Sequence, residues 1–375
     1  MKTVGRVVGL LVVAWLSLGG TGCASYATDA GDGEQAGEQS AQSTSCTELD
    51  LYMAPATSGG NDSHTGLSSA QAVETLARVQ QIIKAKDPLC PTVVKVGLGT
   101  YSRQSVQWDY APHSDITFEP IDGWASKTRP VFDGCPGGSN CSSNKLTWFQ
   151  LLTSTGASTK LHFRYLKVIR YWLAIELGGN RDVAAASVRD NSIYGMWFQY
   201  IGNGWAGSAD AAGSPAAVDF VNVDNTAVEN SHFYDITNKA GQGGMLHGVY
   251  IAHSSDNNLV ARNVFENIAG DPIRVRDYSF NNVIDSNRCT KTGSAAYSEW
   301  FCDDANRSDC TKHDECWSWE NTFSNNTLDG NASCGGLTTF RYEQTNVPAH
   351  CTRPPRGAVR LHTFGNTSTG TPCSL

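Results

Sequence analysis

Two consecutive segments of the chain align without a gap at a spacing of 24 residues: HGVYIAHSSDNNLVARNVFENI, beginning at His247, and DPIRVRDYSFNNVIDSNRCTKT, beginning at Asp271. Val249 falls on Ile273, Ile251 on Val275, Asn257-Asn258 on Asn281-Asn282, Val260 on Ile284, Asn263 on Asn287 and Phe265 on Cys289. Short β-type runs broken by Asn and Gly, repeating at this period, are the signature of a solenoid. Val249 and Ile251 alternate with Gly248, Tyr250 and Ala252, so one face of the run is inward and the other outward. Val260 and Phe265 bracket an Asn-rich bend. One such unit cannot bury its own apolar face, so units must stack. The expectation is an all-β chain wound as a single-stranded right-handed parallel β-helix.

The register recurs more loosely elsewhere. Val188, Val228, Val260, Ile284 and Phe323 head the phrases VRDNSI, VENSHF, VARNVF, IDSNRC and FSNNTL, spaced 40, 32, 24 and 39 residues apart. Asn191, Asn263, Asn287 and Asn326 take the fourth place, with Ser231 in the remaining phrase. Asn tolerates left-handed turns, and its amide can bond stacked backbones, which makes these residues structural. The uneven spacing places loop insertions between coils.

Residues 1–22 read as an export signal: Lys2 and Arg6 precede an apolar run, Val7 to Leu18, that is short for a bilayer span. The run ends in LGGTGCAS, which resembles a bacterial lipoprotein signal and implies a lipid on Cys23 as the route of membrane attachment; ordinary cleavage after Ala24 or Ala27 is the alternative. Residues 23–45 are polar and without apolar pattern, a flexible tether, and 46–375 form the β-helix domain. The resulting location is extracellular, at the cell surface or as an outer-membrane lipoprotein, and the protein is expected to be a monomer. A formal charge of −8 argues against nucleic acid as a partner. Of 12 cysteines, 11 lie beyond Cys23. Cys289, in the inward place of Phe265 and Leu328, reads as a buried free thiol. The remaining ten could form disulfides in an oxidising compartment. Cys135 and Cys141 flank a Gly-rich turn, and Cys302, Cys310, Cys316, Cys334 and Cys351 gather late, without a C-x-x-C pair to favour zinc.

The stretch from Leu51 to Ser102 resembles the opening of secreted β-helix proteins of the pectin-lyase-like superfamily. Gly60, Asp62 and Gly66 match its G-x-D-x-x-x-G turn, and Gly99-Thr100-Tyr101 its G-x-Y phrase. Between them Ala72, Val73, Leu76, Val79, Ile82 and Ile83 have helical spacing over 71–85, a helix that would cap the open end of the solenoid. The resemblance implies fold and export. It leaves chemistry open, because lyases, hydrolases, epimerases and binding proteins share the fold.

Outward and end positions around the repeat are polar: His247, Tyr250 and His253 on one coil, Asp271, Arg274, Arg276 and Asp277 on the next. Two arginines at alternate positions of one strand point the same way, a clamp for carboxylates or sulfates. HGVYIAHSSDNN and GDPIRVRD also resemble the catalytic coils of the chondroitinase B and alginate lyase family. There Arg276 falls on the family's arginine, while His253 stands where the family has lysine. The resemblance implies a polysaccharide lyase acting on a uronic-acid-containing, acidic polysaccharide by β-elimination. Arg274 would neutralise the substrate carboxylate, His253 or His247 would take the proton, and Tyr250 or Arg276 would assist the leaving oxygen. Asp271, Asp277 and Trp300 complete the substrate-binding set.

Two alternatives stand beside this. Leu246-His247-Gly248 and Ile273-Arg274-Val275-Arg276 echo phrases of polygalacturonases, and so a glycoside hydrolase, which needs paired carboxyl groups; Asp303-Asp304 reads as solvated loop charge. A non-catalytic carbohydrate-binding surface protein would use exposed aromatics, with Trp197, Tyr200 and Trp205 in one cluster and Trp300, Trp317 and Trp319 in another. No cofactor or metal is fixed by spacing; calcium is left open through Asp219, Asp271 and Asp277.

Overall fold

Alternating apolar runs stack in register, each strand hydrogen-bonded to its equivalent in the next coil. The structure, a computed structural model, describes residues 46–137, 145–206, 213–239, 241, 243–293, 295–300, 315–329, 336–341, 351, 352 and 354–369. The export-signal, tether and Cys23 expectations lie outside the described residues, as do Cys141, Cys302, Asp303, Asp304, Cys310 and Cys334. The described strands form sheets of ten, nine, eight and three, their order following the winding of the chain. Neighbouring strands are parallel throughout the central coils. The architecture is a parallel β-helix.

A coil holds three strands, where the sequence shows two runs. In the organising coil these are His247–Ala252 in the third sheet, Leu259–Ala261 in the first and Val264–Ile268 in the second. The 24-residue alignment is the observed register: Val249 pairs with Ile273, Val260 with Ile284 and Phe265 with Cys289. Phe323 also sits opposite Ile284, and Val228 opposite Val260. The Val188 phrase is out by five residues. Ile193 is the residue that pairs with Val228, while Val188 lies in the three-stranded sheet between Ala157 and Val223.

The turns explain the slip. Each coil carries two ladder positions five residues apart. Asn258, Asn282 and Asn321 form one ladder, in which each amide oxygen accepts the backbone N–H of the preceding member. Asn263, Asn287, Asn326 and Asn366 form the other. Asn191 belongs to the first ladder, bonding Thr226 on one side and Thr159 and Leu161 on the other. These amides, buried except for the half-buried Asn366, satisfy backbone groups that the bends leave unpaired, which is what keeps polar turns inside a stack.

Inward columns fill the solenoid. Phe198, Phe233 and Phe265 stack ring on ring, with centroids 4.9 and 4.7 Å apart. Cys289 follows Phe265 in that column as a buried free thiol, its pKa pushed up to about 12 by burial. Glu299 breaks another column, facing inward in register with Val275; burial raises its carboxyl to about 7, against the pull of Arg360. The cap helix runs Leu76–Lys86, starting later than the apolar spacing places it, because Ala72 and Val73 are extended and Val73 bridges Met53. Thr75 caps it by accepting the N–H of Arg78, and Asp62 accepts the N–H groups of Glu74 and Thr75, fixing the turn that the G-x-D phrase announces. Leu76, Val79, Ile82 and Ile83 close the first coil. Disulfides join Cys46 to Cys90 beside this cap and Cys316 to Cys351 near the far end, and Cys135 is also disulfide-bonded. Among the described residues no helix is long and apolar enough to cross a membrane.

Candidate functional site

The third sheet has the longest central strands, and its outward column is polar from coil to coil. Gln107, Gln150, Glu176, Asp219, Tyr250, Arg274 and Ser298 succeed one another in strand register. At about 4.8 Å per coil the column is on the order of 30 Å long; Gln107, Gln150, Glu176 and Tyr250 keep exposed surface, while Asp219, Arg274 and Ser298 are buried. The flanking positions Ile175, Leu177, Val218 and Phe220 are fully buried, so strict alternation forces Glu176 and Asp219 outward.

Hydrogen bonds run along the column. Gln107 donates to Gln150 at 3.1 Å, and Gln150 donates to Glu176. Asp219 is 6% exposed, and its Oδ1 has no hydrogen-bond partner among the described residues. Burial, and then the negative charge of Glu176 on the adjoining coil, push the Asp219 carboxyl up to about 8. It therefore holds its proton at neutral pH. Beyond it, the Tyr250 hydroxyl accepts from Arg276 Nη1 at 3.1 Å. Burial raises the Tyr250 pKa, with Arg276 pulling the other way.

The sequence-predicted residues fall into two groups on these coils. In the first, Arg274 is 7% exposed and bonds Asp271 at 2.8 Å and Ser298 at 2.9 Å. His247 Nδ1 lies 2.6 Å from the Asp271 carbonyl, and its ring stacks on Tyr250 at 5.6 Å. Burial opposes ionisation of Asp271, yet Arg274 and His247 hold its carboxyl below the usual range. In the second group Arg276 bonds Glu315 as well as Tyr250, and Arg181 reaches the other Glu315 oxygen at 3.4 Å. His253 and Asp277, 24 residues apart, meet at 2.7 Å in the bend after their strands, where both have left-handed backbone. Trp300 ends a strand opposite Arg276; its side chain lies outside the described residues.

The arginine clamp thus has internal anions at both guanidinium groups. The calcium trio does not assemble: Asp271 is held by Arg274, Asp277 by His253, and Asp219 sits beside Glu176. Among the described residues one group comes within metal-ligand reach, His253, Asp277 and Glu315, and there two guanidinium groups already neutralise Glu315.

Sequence reasoning missed Glu176, Glu315 and Arg181, and read Asp219 only as a calcium ligand. A signal was present. Glu176 and Asp219 each stand alone in an apolar run, LAIELG and AAVDFV, where an outward acid in a strand is conspicuous.

No protein-family model matches the chain, and comparison with curated proteins finds no match. Several solved structures are similar. A pectate lyase, Pel9A, is 12% identical with a TM-score of 0.44, over 79% of each chain. An alginate lyase from Paenibacillus sp. str. FPU-7 is 12% identical with a TM-score of 0.45, over 84% of this chain and 98% of the other. A lacto-N-biosidase from Eubacterium ramulus is 12% identical with a TM-score of 0.47, over 78% of this chain and 55% of the other. At such identities and scores no residue role passes from these proteins to this chain.

Proposed function

We propose that this chain is an exported polysaccharide-active enzyme that hydrolyses glycosidic bonds of an acidic polysaccharide along the outward column of the third sheet. The observation that carries the reading is the Glu176–Asp219 pair: two carboxyl groups in register on adjoining coils, one of them buried, unpartnered at Oδ1 and protonated at neutral pH. A protonated carboxyl beside a second carboxyl group is the requirement for acid-assisted glycoside cleavage. Asp219 donates its proton to the leaving glycosidic oxygen. Glu176, oriented by the Gln107–Gln150 chain, supplies the second carboxyl group, as nucleophile or as the base that directs water. That the polymer is acidic is part of the proposal, decided by the polymers of the assay below, because Arg276 and Arg181 already share Glu315.

The Tyr250–Arg276 hydrogen bond favours a second reading, β-elimination. There the protonated Asp219 would hydrogen-bond the uronate carboxylate, and the Tyr250 phenolate beside Arg276 would take the C5 proton and return it to the C4 oxygen as the C4–O bond breaks and the C4–C5 double bond forms. One assay separates the two. Polygalacturonate, alginate and chondroitin sulfate are incubated with the protein, and new reducing ends and the ultraviolet absorbance of unsaturated uronate are followed together. Reducing ends without absorbance, lowered at least about 100-fold by Asp219→Asn and by Glu176→Gln, is the expected result. Absorbance appearing in step with chain cleavage would replace hydrolysis by elimination. Cleavage undiminished in both variants would remove the site from this column.

Export rests on the disulfides and the leader pattern. In this reading residues 1–22 are removed, Cys23 carries the lipid, 23–45 tether a monomeric β-helix, and the mass of the mature N-terminus tests it.

A further inference from the structure

On another face of the solenoid, the second sheet carries an aromatic and cationic platform that the chemistry proposed for the third sheet does not use. Its outward column runs Lys167, Trp197, His232 in register. Trp197 is 42% exposed. The Arg129 guanidinium lies between two indoles, 4.1 Å from the Trp124 ring and 4.8 Å from the Trp197 ring, and Lys167 Nζ lies 5.4 Å from the Trp197 ring. Trp124 in turn lies flat on Tyr165, with centroids 4.7 Å apart and planes at 2°. The pile is built into the backbone. Gly195 has φ +62°, and a Cβ there would come within 2.6 Å of the Tyr165 ring, so only glycine lets the ring seat. The Gly195 carbonyl then accepts from Arg129 Nη2 at 2.8 Å.

Charge identifies what the platform faces. Among the described residues neither Arg129 nor Lys167 has an acidic partner within ion-pair distance, and Arg129 Nε is buried without a hydrogen bond. Burial, then the like charges of Arg129 and Arg170, lower the Lys167 pKa. On the far side of Trp197 a shallow depression is lined by Gln199, His232 and Tyr234, groups suited to sugar hydroxyls. Negative side chains lie at the opposite end from the cations: Glu266 is 3.6 Å from His232, and Asp235 lies against Tyr234.

We propose that this platform is a second, non-catalytic binding site for an acidic polysaccharide, with a sugar ring stacked on Trp197 and its carboxylate or sulfate held by Arg129 and Lys167. The exposed part of the Trp197 indole matches the apolar face of a pyranose, and partly desolvated cations match its anion. A polymer held there is kept beside the molecule while another segment reaches the third sheet.

The test uses native gel electrophoresis through polygalacturonate or alginate, with dextran as the neutral control. It is run in the Asp219→Asn background so that the matrix stays intact. The expected result is retardation in an acidic matrix and not in dextran, weakened about tenfold in apparent affinity by Trp197→Ala and by Lys167→Gln. Thermal melting confirms that both variants fold, and Trp197→Ala in the otherwise native chain is expected to cleave short oligosaccharides at the unaltered rate. Retardation undiminished in both variants, equal retardation in dextran, or none in either acidic matrix would overturn the proposal. Because binding is read in a protein lacking the catalytic proton, loss of the third-sheet reading and loss of the platform give different results.

Discussion

Replacing Asp219 by Asn is expected to abolish activity and to stabilise the protein, the second effect growing with pH. An unfolded Asp ionises near 3.8, whereas the folded Asp219 carboxyl keeps its proton to about 8. Between these values the native state holds one proton more than the unfolded state, so the free energy of unfolding falls by about 1.4 kcal/mol per pH unit as pH rises. Below pH 3.8 both states are protonated and nothing is lost. Across the full span the ideal figure is about 6 kcal/mol; local relaxation and water reduce it, to the order of 3 kcal/mol. Asn cannot ionise, so the variant escapes this loss. For a domain of roughly 330 residues, 3 kcal/mol corresponds to a rise of about 4 °C in Tm at pH 8.5, shrinking towards zero at pH 4. Calorimetry of both proteins across that range measures it, and wild-type cleavage followed over the same range should fall on a basic limb near pH 8. A Tm difference that is flat with pH, or a variant less stable than wild type at pH 8.5, would refute the assignment of a buried, protonated Asp219.

The turn ladders, the cap disulfide and the buried thiol can each be tested. Asn287→Ala removes the acceptor of the Asn263 N–H and amide and the donor to Val260 and Asn326, and should lower stability by about 3–5 kcal/mol in a denaturant titration. Replacing both Cys46 and Cys90 by Ser opens a link across 44 residues and should lower stability by about 4 kcal/mol, read as loss of the cap at a lower temperature than the remaining coils. Cys289 should resist alkylation at pH 8 in the native protein and react on unfolding, as peptide mass mapping will show, because its thiol is fully buried and its pKa is pushed up to about 12.

How far the chain could be read from its residues depended on coil length. Where two coils have equal length, contacts between them become a constant offset in the sequence. His253 and Asp277, Asn263 and Asn287, and Phe265 and Cys289 are all 24 apart, and all three pairs meet. A loop insertion removes that offset and leaves only local pattern, which is ambiguous here for a specific reason. The two Asn ladders are five residues apart within each coil, as in Asn258 and Asn263 or Asn282 and Asn287, so a coil with one Asn fits either. In the Asn191 coil the partner position is Met196, whose backbone N–H bonds Ser231 in the second ladder, so the VRDNSI phrase matches the second ladder by pattern while Asn191 sits in the first. The same obstacle hid the site. Glu176 and Asp219 are 43 residues apart in sequence and adjacent in space, because a long excursion separates their strands. Arg274 and Arg276 were conspicuous because they lie within the uninterrupted repeat. Their outward direction was legible from alternation, but their anions were not: Glu315 comes 39 residues after Arg276, beyond another insertion. Direction is a property of one strand and is written locally. Partnership across coils is written in insertion lengths, and only strand pairing converts those into distance. Arg274 and Arg276, visible in the repeat, are already ion-paired, whereas Glu176 and Asp219, isolated in apolar strands of irregular coils, have no ion-pair partner among the described residues.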